Sequence, residues 1–238
     1  MANYIGTAGW SLPSAHAGAF PAEGSQLERY AAVLNGVEIN SSFYRPHRAQ
    51  TYERWAHSTP AAFRFAVKLP KTISHVARLA GADEALARFV GEAGALGKKW
   101  AVLLVQLPPS LSFDARVAGA FFDSVHAAFG GAVVCEPRHA SWFTPEAEQL
   151  MTSCEVARAA VDPAKWPGAD MPGGHPSVFY FRWHGSPRMY WSAYESDWLT
   201  ERATALKALR KRVPRWCVFD NTASGAALGN ALELRELL

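Results

Sequence analysis

A chain of 238 residues with 49% hydrophobic and 19% charged side chains has the balance of a globular protein with a sizeable core. Its formal charge of +3 and pI near 8.8 are too mild to demand a polyanionic partner, and its three cysteines, Cys135, Cys154 and Cys217, are too scattered for a disulfide framework or a zinc motif. The N-terminus carries no signal-like basic and apolar regions and no apolar run reaches membrane-spanning length, so a cytoplasmic protein with no membrane partner is expected.

In chain order, a short β-rich run at 4–6 leads into GTAGWS, and Ser25 with Glu28 three residues on has the spacing of a capping box that opens a first helix. A strand over 37–40 is followed by a helix over 50–57, and a strand over 63–68 by a helix over 83–96. The run 101–107 precedes a helix capped by Asp114 that continues to Phe129, where Gly130-Gly131 stops it. After a strand over 132–136, Thr144-Pro145 opens a fifth helix, because proline at the first helical position has its φ preset. A sixth strand spans 157–162. The stretch 163–176 then holds four Pro and three Gly and reads as a loop or a degenerate helix. A strand over 178–184, a helix from Ser196 or Asp197 to near Arg212, a strand over 216–220 and a helix over 225–238 complete the chain.

Several of these strands are continuously apolar, as expected where both faces of a parallel sheet are covered. Eight strands, seven clear helices and one weak connection predict an α/β fold, a (β/α)8 TIM barrel formed as a single domain over 1–238. GTAGW is not the Gly-rich phosphate turn that a doubly wound sheet would offer.

In such a barrel the C-terminal strand ends build the active site. Here nearly every apolar run finishes in a polar group: Thr7, Glu38 with Asn40, Lys68, Gln106, Glu136 with Arg138, Asp162, Arg182 with His184, and Asp220 with Asn221. Glu38 and Asn40 are two apart, so strand parity points both into the barrel while Val37 and Ile39 face the helices, and Arg182 and His184 stand in the same relation. Glu38 and Glu136 are the expected acid/base couple, joined by Lys68 as nucleophile or anion holder and His184 as proton shuttle. Asn40, Tyr44, Gln106, Arg138, Trp142, Arg182, Asp220 and Asn221 are expected to bind substrate, the arginines by forked contacts to an anion and the aromatic residues as part of a stacking rim. A salt-bridged network around the same carboxylates, and aromatic residues that merely plug the barrel end, are the competing structural accounts.

The strings GTAGWS, VEINSSFYR, RFAVKLPKTISH, LLVQLPPS, CEPRHASWF, FRWHG and VFDNTASGAALGNALEL closely resemble the DUF72 (YecE-like) family of uncharacterised proteins, from the first strand to the last helix. The resemblance implies a TIM-barrel fold and carries no activity with it. The chain departs from the family pattern at Ala8, where serine is frequent, and in SLPSAHAGAF after GWS.

The leading expectation is an enzyme that uses acid/base chemistry on a small polar substrate, anionic or sugar-like, with no cofactor; hydrolase, lyase and isomerase types remain open. One alternative is a metal-dependent phosphodiesterase of the endonuclease-IV-like kind, with Glu136, Asp162, His184 and Asp220 as ligands of a divalent metal. The other is a non-catalytic module binding nucleic acid or protein through the basic helix TERATALKALRKRVPR, whose plainer account is a solvated outer face.

Overall fold

The computed structural model describes residues 3–210 and 212–238. Strand β1 (Asn3–Thr7) leads through a 3-10 turn (Ser14–Ala19) to helix α1 (Gln26–Ala31), where Ser25 and Glu28 form the capping box that their spacing predicts. Then follow β2 (Gly36–Ile39), α2 (Ala49–His57), β3 (Arg64–Lys68), α3 (Asp83–Ala93), β4 (Trp100–Gln106), α4 (Ala115–Ala128), β5 (Ala132–Glu136) and α5 (Pro145–Ser153). Asp114 and Thr144 cap α4 and α5 as expected, each side chain accepting from a backbone N–H three residues on.

The second half is less regular. The expected sixth strand is two short ones, β6 (Val156–Arg158) and β7 (Ala160–Asp162), separated at Ala159. The break has a topological cause: β6 pairs with β5, whereas β7 pairs with β9 (Phe179–Trp183) on the other side. The described residues between β7 and β9 include no helix; Gly173–Gly174 forms β8, antiparallel to β6. Helix α6 (Ser196–Ala208) stops short of Arg212, and the carbonyl of Leu209 instead accepts from Arg215 Nη2 at 2.9 Å. Strand β10 (Arg215–Phe219) and helix α7 (Ala226–Leu237) end the chain.

The strands lie in two parallel sheets, β2-β3-β4-β5-β6 with β8 at its edge, and β1-β10-β9-β7. The broken sixth strand joins them on one side. On the other side the seam between β1 and β2 has one β-bridge, Ala8 to Glu38, with Gly9 N–H donating to the Glu38 carbonyl at 2.8 Å. Below that bridge, side chains replace the main-chain ladder. Ile5 N–H donates to Asn35 Oδ1 at 3.0 Å, Thr7 N–H to the Tyr30 hydroxyl at 2.9 Å, and that hydroxyl to the Gly36 carbonyl at 3.1 Å. Gly6 permits this approach, since a Cβ there would lie 2.0 Å from the Gly36 oxygen.

Alternation along each strand splits the core in two. Val37, Ile39, Phe65, Val67, Leu103 and Val133 pack outward against the helices. Ala66, Val102, Leu104, Val134, Tyr180, Trp216 and Val218 fill the barrel itself. This inner apolar packing gives way at the C-terminal end of the strands to a charged layer. It is the (β/α)8 arrangement that the alternating pattern predicts, with a loop where the sixth helix would stand.

Candidate functional site

The charged layer is built around Arg182, two residues beyond Tyr180 on β9 and completely buried. Its Nε and Nη2 donate to Glu38 Oε2 and Oε1 at 2.9 and 2.8 Å, a bidentate fork. Nη1 donates to Glu136 Oε2 at 2.5 Å, and Nη2 also to Asp220 Oδ2 at 2.9 Å. Tyr180 adds a hydroxyl donor to Glu38 Oε2 at 3.0 Å. One guanidinium thus holds carboxylates from both sheets.

Around it, Arg138 Nε donates to Glu136 Oε1 at 2.5 Å, and Arg138 Nη2 lies 3.0 Å from His184 Nε2. A guanidinium only donates, so His184 Nε2 accepts; its Nδ1 therefore carries the proton and donates to Asp220 Oδ2 at 3.0 Å. Burial would raise the Glu136 carboxyl, but the charges of Arg138 and Arg182 hold it well below the usual carboxylate range. Asp220 is likewise kept low against its burial, by Arg182 and by the hydrogen bond from His184.

Lys68 belongs to the same layer and is only 4% exposed, yet it is treated differently. Among the described residues its Nζ has no hydrogen bond or ion pair; it lies 4.3 Å from the centre of the Phe43 ring. Burial and then the neighbouring Arg182 push its pKa down from 10.5 to about 8, against the pull of Glu38, Glu136 and Asp220. The same Phe43 ring meets His75 edge to face, with centroids 4.9 Å apart. His75 sits on a π-helical turn, Thr72–Val76, and is lowered first by burial and then by the charges of Lys68, Arg138 and Lys71.

The structure therefore brings together Glu38, Lys68, Glu136, Arg138, Arg182, His184 and Asp220. Gln106 stands at the rim of the same wall, in register with Glu136 and on the inward side with Leu104. Asn40 departs from expectation. Strand β2 ends at Ile39 and Asn40 turns helical (φ −84°, ψ −22°), so strand parity no longer governs it; its Oδ1 is buried without a partner among the described residues. Tyr44 is exposed on the loop after β2. Trp142 is packed inside, its indole N–H donating to the Leu111 carbonyl at 2.9 Å. Asn221 is fully buried, its Nδ2 donating to the Ser192 carbonyl and to Asn230 Oδ1 at 2.9 and 3.0 Å, which ties the loop after β9 to α7.

Of the four residues considered as metal ligands, Asp162 stands apart: its Oδ1 accepts from the Tyr194 hydroxyl at 2.7 Å. The other three have their facing atoms engaged by Arg138 and Arg182. Among the described residues no group of three or more His, Cys, Asp and Glu has the geometry to hold a metal ion.

Sequence reasoning missed Tyr180, hidden inside an apolar run, and did not single out His75. Parity with Arg182 could have found the first; nothing in the local pattern marks the second. The large hydrophobic side chains exposed among the described residues, Tyr44, Val76, Met171, Met189, Tyr190 and Trp191, all lie on segments following C-terminal strand ends, so the mouth face carries an apolar collar. A cleft of about 440 Å³ lies beyond Phe43, between the loop after β2 and α3, and another of about 460 Å³ beside Asp162 and Tyr194. Neither is lined by Arg182, Lys68 or Arg138; in the charged layer Arg138 has 18% of its side chain exposed.

Fold and site together define a (β/α)8-barrel protein with a charged layer closing its C-terminal mouth. The family model described as "Protein of unknown function DUF72" matches residues 4–238, and the chain belongs to that family. It is 33% identical over 150 residues to the UPF0759 protein YecE of Escherichia coli, covering 61% of this chain and 52% of that protein; the chain spans about half the length of the curated relatives it matches. Among solved structures it is similar to a DUF72 family protein of Thermotoga maritima, with a TM-score of 0.81, 24% identity, and 100% and 99% of the two chains covered. A DUF72 family protein of Enterococcus faecalis gives a TM-score of 0.81 at 20% identity, with 99% and 94% covered. No helix among the described residues is long and apolar enough to cross a membrane.

Proposed function

We propose that the chain is a cytoplasmic enzyme acting on a small anionic substrate held at the barrel mouth by Lys68 and Arg138. The observation that carries this reading is an imbalance of unspent groups. Of the six carboxylate oxygens of Glu38, Glu136 and Asp220, all but Asp220 Oδ1 have a hydrogen-bond donor among the described residues. On the cationic side, Lys68 Nζ has no such partner, and Arg138 commits Nε and Nη2 but not Nη1. An anion satisfies Lys68 Nζ and Arg138 Nη1 together; a neutral sugar would leave the Lys68 ammonium without a bonded counter-charge in a poorly hydrated site.

In this reading Glu38 and Glu136 act as fixed charges that hold Arg182 in place. Glu136, kept ionised by two guanidinium groups, is a weak base and a poor source of protons at neutral pH, and both oxygens of Glu38 are taken up by Arg182 and Tyr180. Acid/base work falls instead to the imidazoles near the mouth.

Calorimetry with inorganic phosphate at low salt tests the proposal. Wild-type protein should bind, and Lys68→Met should weaken binding about tenfold or more, the worth of one charge-assisted hydrogen bond. Wild-type affinity should also fall as the pH is raised through about 8, where Lys68 loses its proton. Equal affinities for the two proteins at pH 7 would refute it.

A further inference from the structure

Building on that anion site, we infer that Lys68 is an amine nucleophile that condenses with the carbonyl of a small 2-oxo acid whose carboxylate rests on Arg138. Three features of its surroundings support this. The first is the missing counter-ion. The carboxylates nearest in charge, Glu38, Glu136 and Asp220, are all drawn onto Arg182, so none bonds Nζ and holds it protonated. The second is a dry, fixed setting: Nζ lies against the Phe43 ring, and the end of β3 is pinned because Ser42 Oγ reaches the Lys68 carbonyl at 2.6 Å and the Ile39 carbonyl at 2.9 Å. With its pKa near 8, roughly a tenth of the amine is the free base at pH 7, several hundred times the fraction in an ordinary lysine.

The third feature is a proton carrier against the same Phe43 ring, His75. His184 has both ring nitrogens engaged, whereas among the described residues His75 Nε2 has no hydrogen-bond partner. The Ser74 hydroxyl lies 3.3 Å from the Pro70 carbonyl and 2.9 Å from His75 Nδ1. When it donates to the carbonyl it accepts from Nδ1–H, which leaves the Nε2 lone pair free. The charges acting on this imidazole come from three segments, Lys68 on β3, Arg138 after β5, and Lys71 preceding its own turn; with burial they keep it neutral and able to accept a proton.

The condensation balances without any redox partner. The Nζ lone pair adds to the carbonyl carbon, and the C=O π electrons move to oxygen. His75 takes a proton from the new ammonium and passes it to that oxygen, giving a carbinolamine. A second proton from solvent lets the hydroxyl leave as water, and the nitrogen lone pair closes the C=N bond of the iminium. Arg138 Nη1 pairs with the carboxylate throughout.

Borohydride trapping with pyruvate tests this, because hydride addition to the iminium turns it into a stable secondary amine. Peptide mass spectrometry should find the N-carboxyethyl adduct on Lys68, formed at least about tenfold faster than on any exposed lysine, since the larger free-base fraction outweighs the lower nucleophilicity of a less basic amine. Lys68→Arg should keep the fold, checked by circular dichroism, and trap nothing at that position. With propanal, which lacks the carboxylate, the preference for Lys68 over exposed lysines should shrink; an unchanged preference would overturn the 2-oxo acid assignment. His75→Gln should slow trapping and flatten its pH profile near neutrality, and an unchanged profile would remove His75 from the step. Lys68-dependent binding of phosphate and pyruvate with no trapped adduct would overturn the inference and leave the anion site standing. Absence of both binding and trapping would overturn both.

Discussion

Arg182 and Lys68 are buried cations in the same charged layer, and they differ in what surrounds them. Arg182 spends Nε, Nη1 and Nη2 on three carboxylates and has no exposure. Lys68 is nearly as buried and has an aromatic face where a carboxylate would be expected. Removing a guanidinium or an ammonium group from water costs several kcal/mol, and only a partner offsets that cost. The first arrangement is a structural centre. The second leaves the cost uncompensated, which makes sense where the missing partner arrives as a ligand.

Substitutions at the two positions should therefore have opposite effects on stability. The largest is expected for Arg182→Met, which strands Glu38 as a buried charge with no cation bonded to it and leaves Glu136 to Arg138 alone; a loss of about 3–5 kcal/mol in urea unfolding is the usual cost of breaking such a set. Lys68→Met should instead stabilise the protein at pH 7, by up to roughly 3 kcal/mol for a pKa depressed from 10.5 to about 8. The sign follows from linkage. The unfolded chain binds the lysine proton more tightly, so the wild type is penalised below pH 8 and recovers stability as the pH rises toward 10.5. The gap between the two unfolding curves should accordingly narrow over that window; a Lys68→Met protein less stable than wild type at pH 7 would erase the contrast. The smallest effect is expected for Tyr180→Phe. It removes one of three donors to Glu38 and should cost about 1–2 kcal/mol, because Arg182 still holds the carboxylate.

Much of the charged layer was legible in the sequence because a parallel barrel delivers the C-terminal end of every strand to one rim. Glu38, Lys68, Glu136, Arg182, His184 and Asp220 could be read as ends of apolar runs without knowing which touched which. Their pairing was not legible. That Arg182 takes all three carboxylates while Lys68 takes none depends on reach across the barrel, between residues as far apart in sequence as 38 and 182. Asn40 was misplaced because the parity rule was carried one residue past the end of its strand. Trp142 and Asn221 sit on loops and have the right chemistry for a site, but their partners, Leu111, Ser192 and Asn230, are set by tertiary packing. The sixth strand reads as one apolar run, and only the change of neighbour at Ala159 divides it.

The seam between β1 and β2 has a consequence of its own. Elsewhere around the barrel, strands are fastened by peptide groups that every residue but proline supplies, so truncating a side chain does not unfasten them. Here Asn35 and Tyr30 do the fastening, and a side chain can be exchanged where a backbone cannot. The barrel thus carries a zip whose teeth are encoded individually: altering either residue would loosen this one join and leave the other main-chain ladders intact.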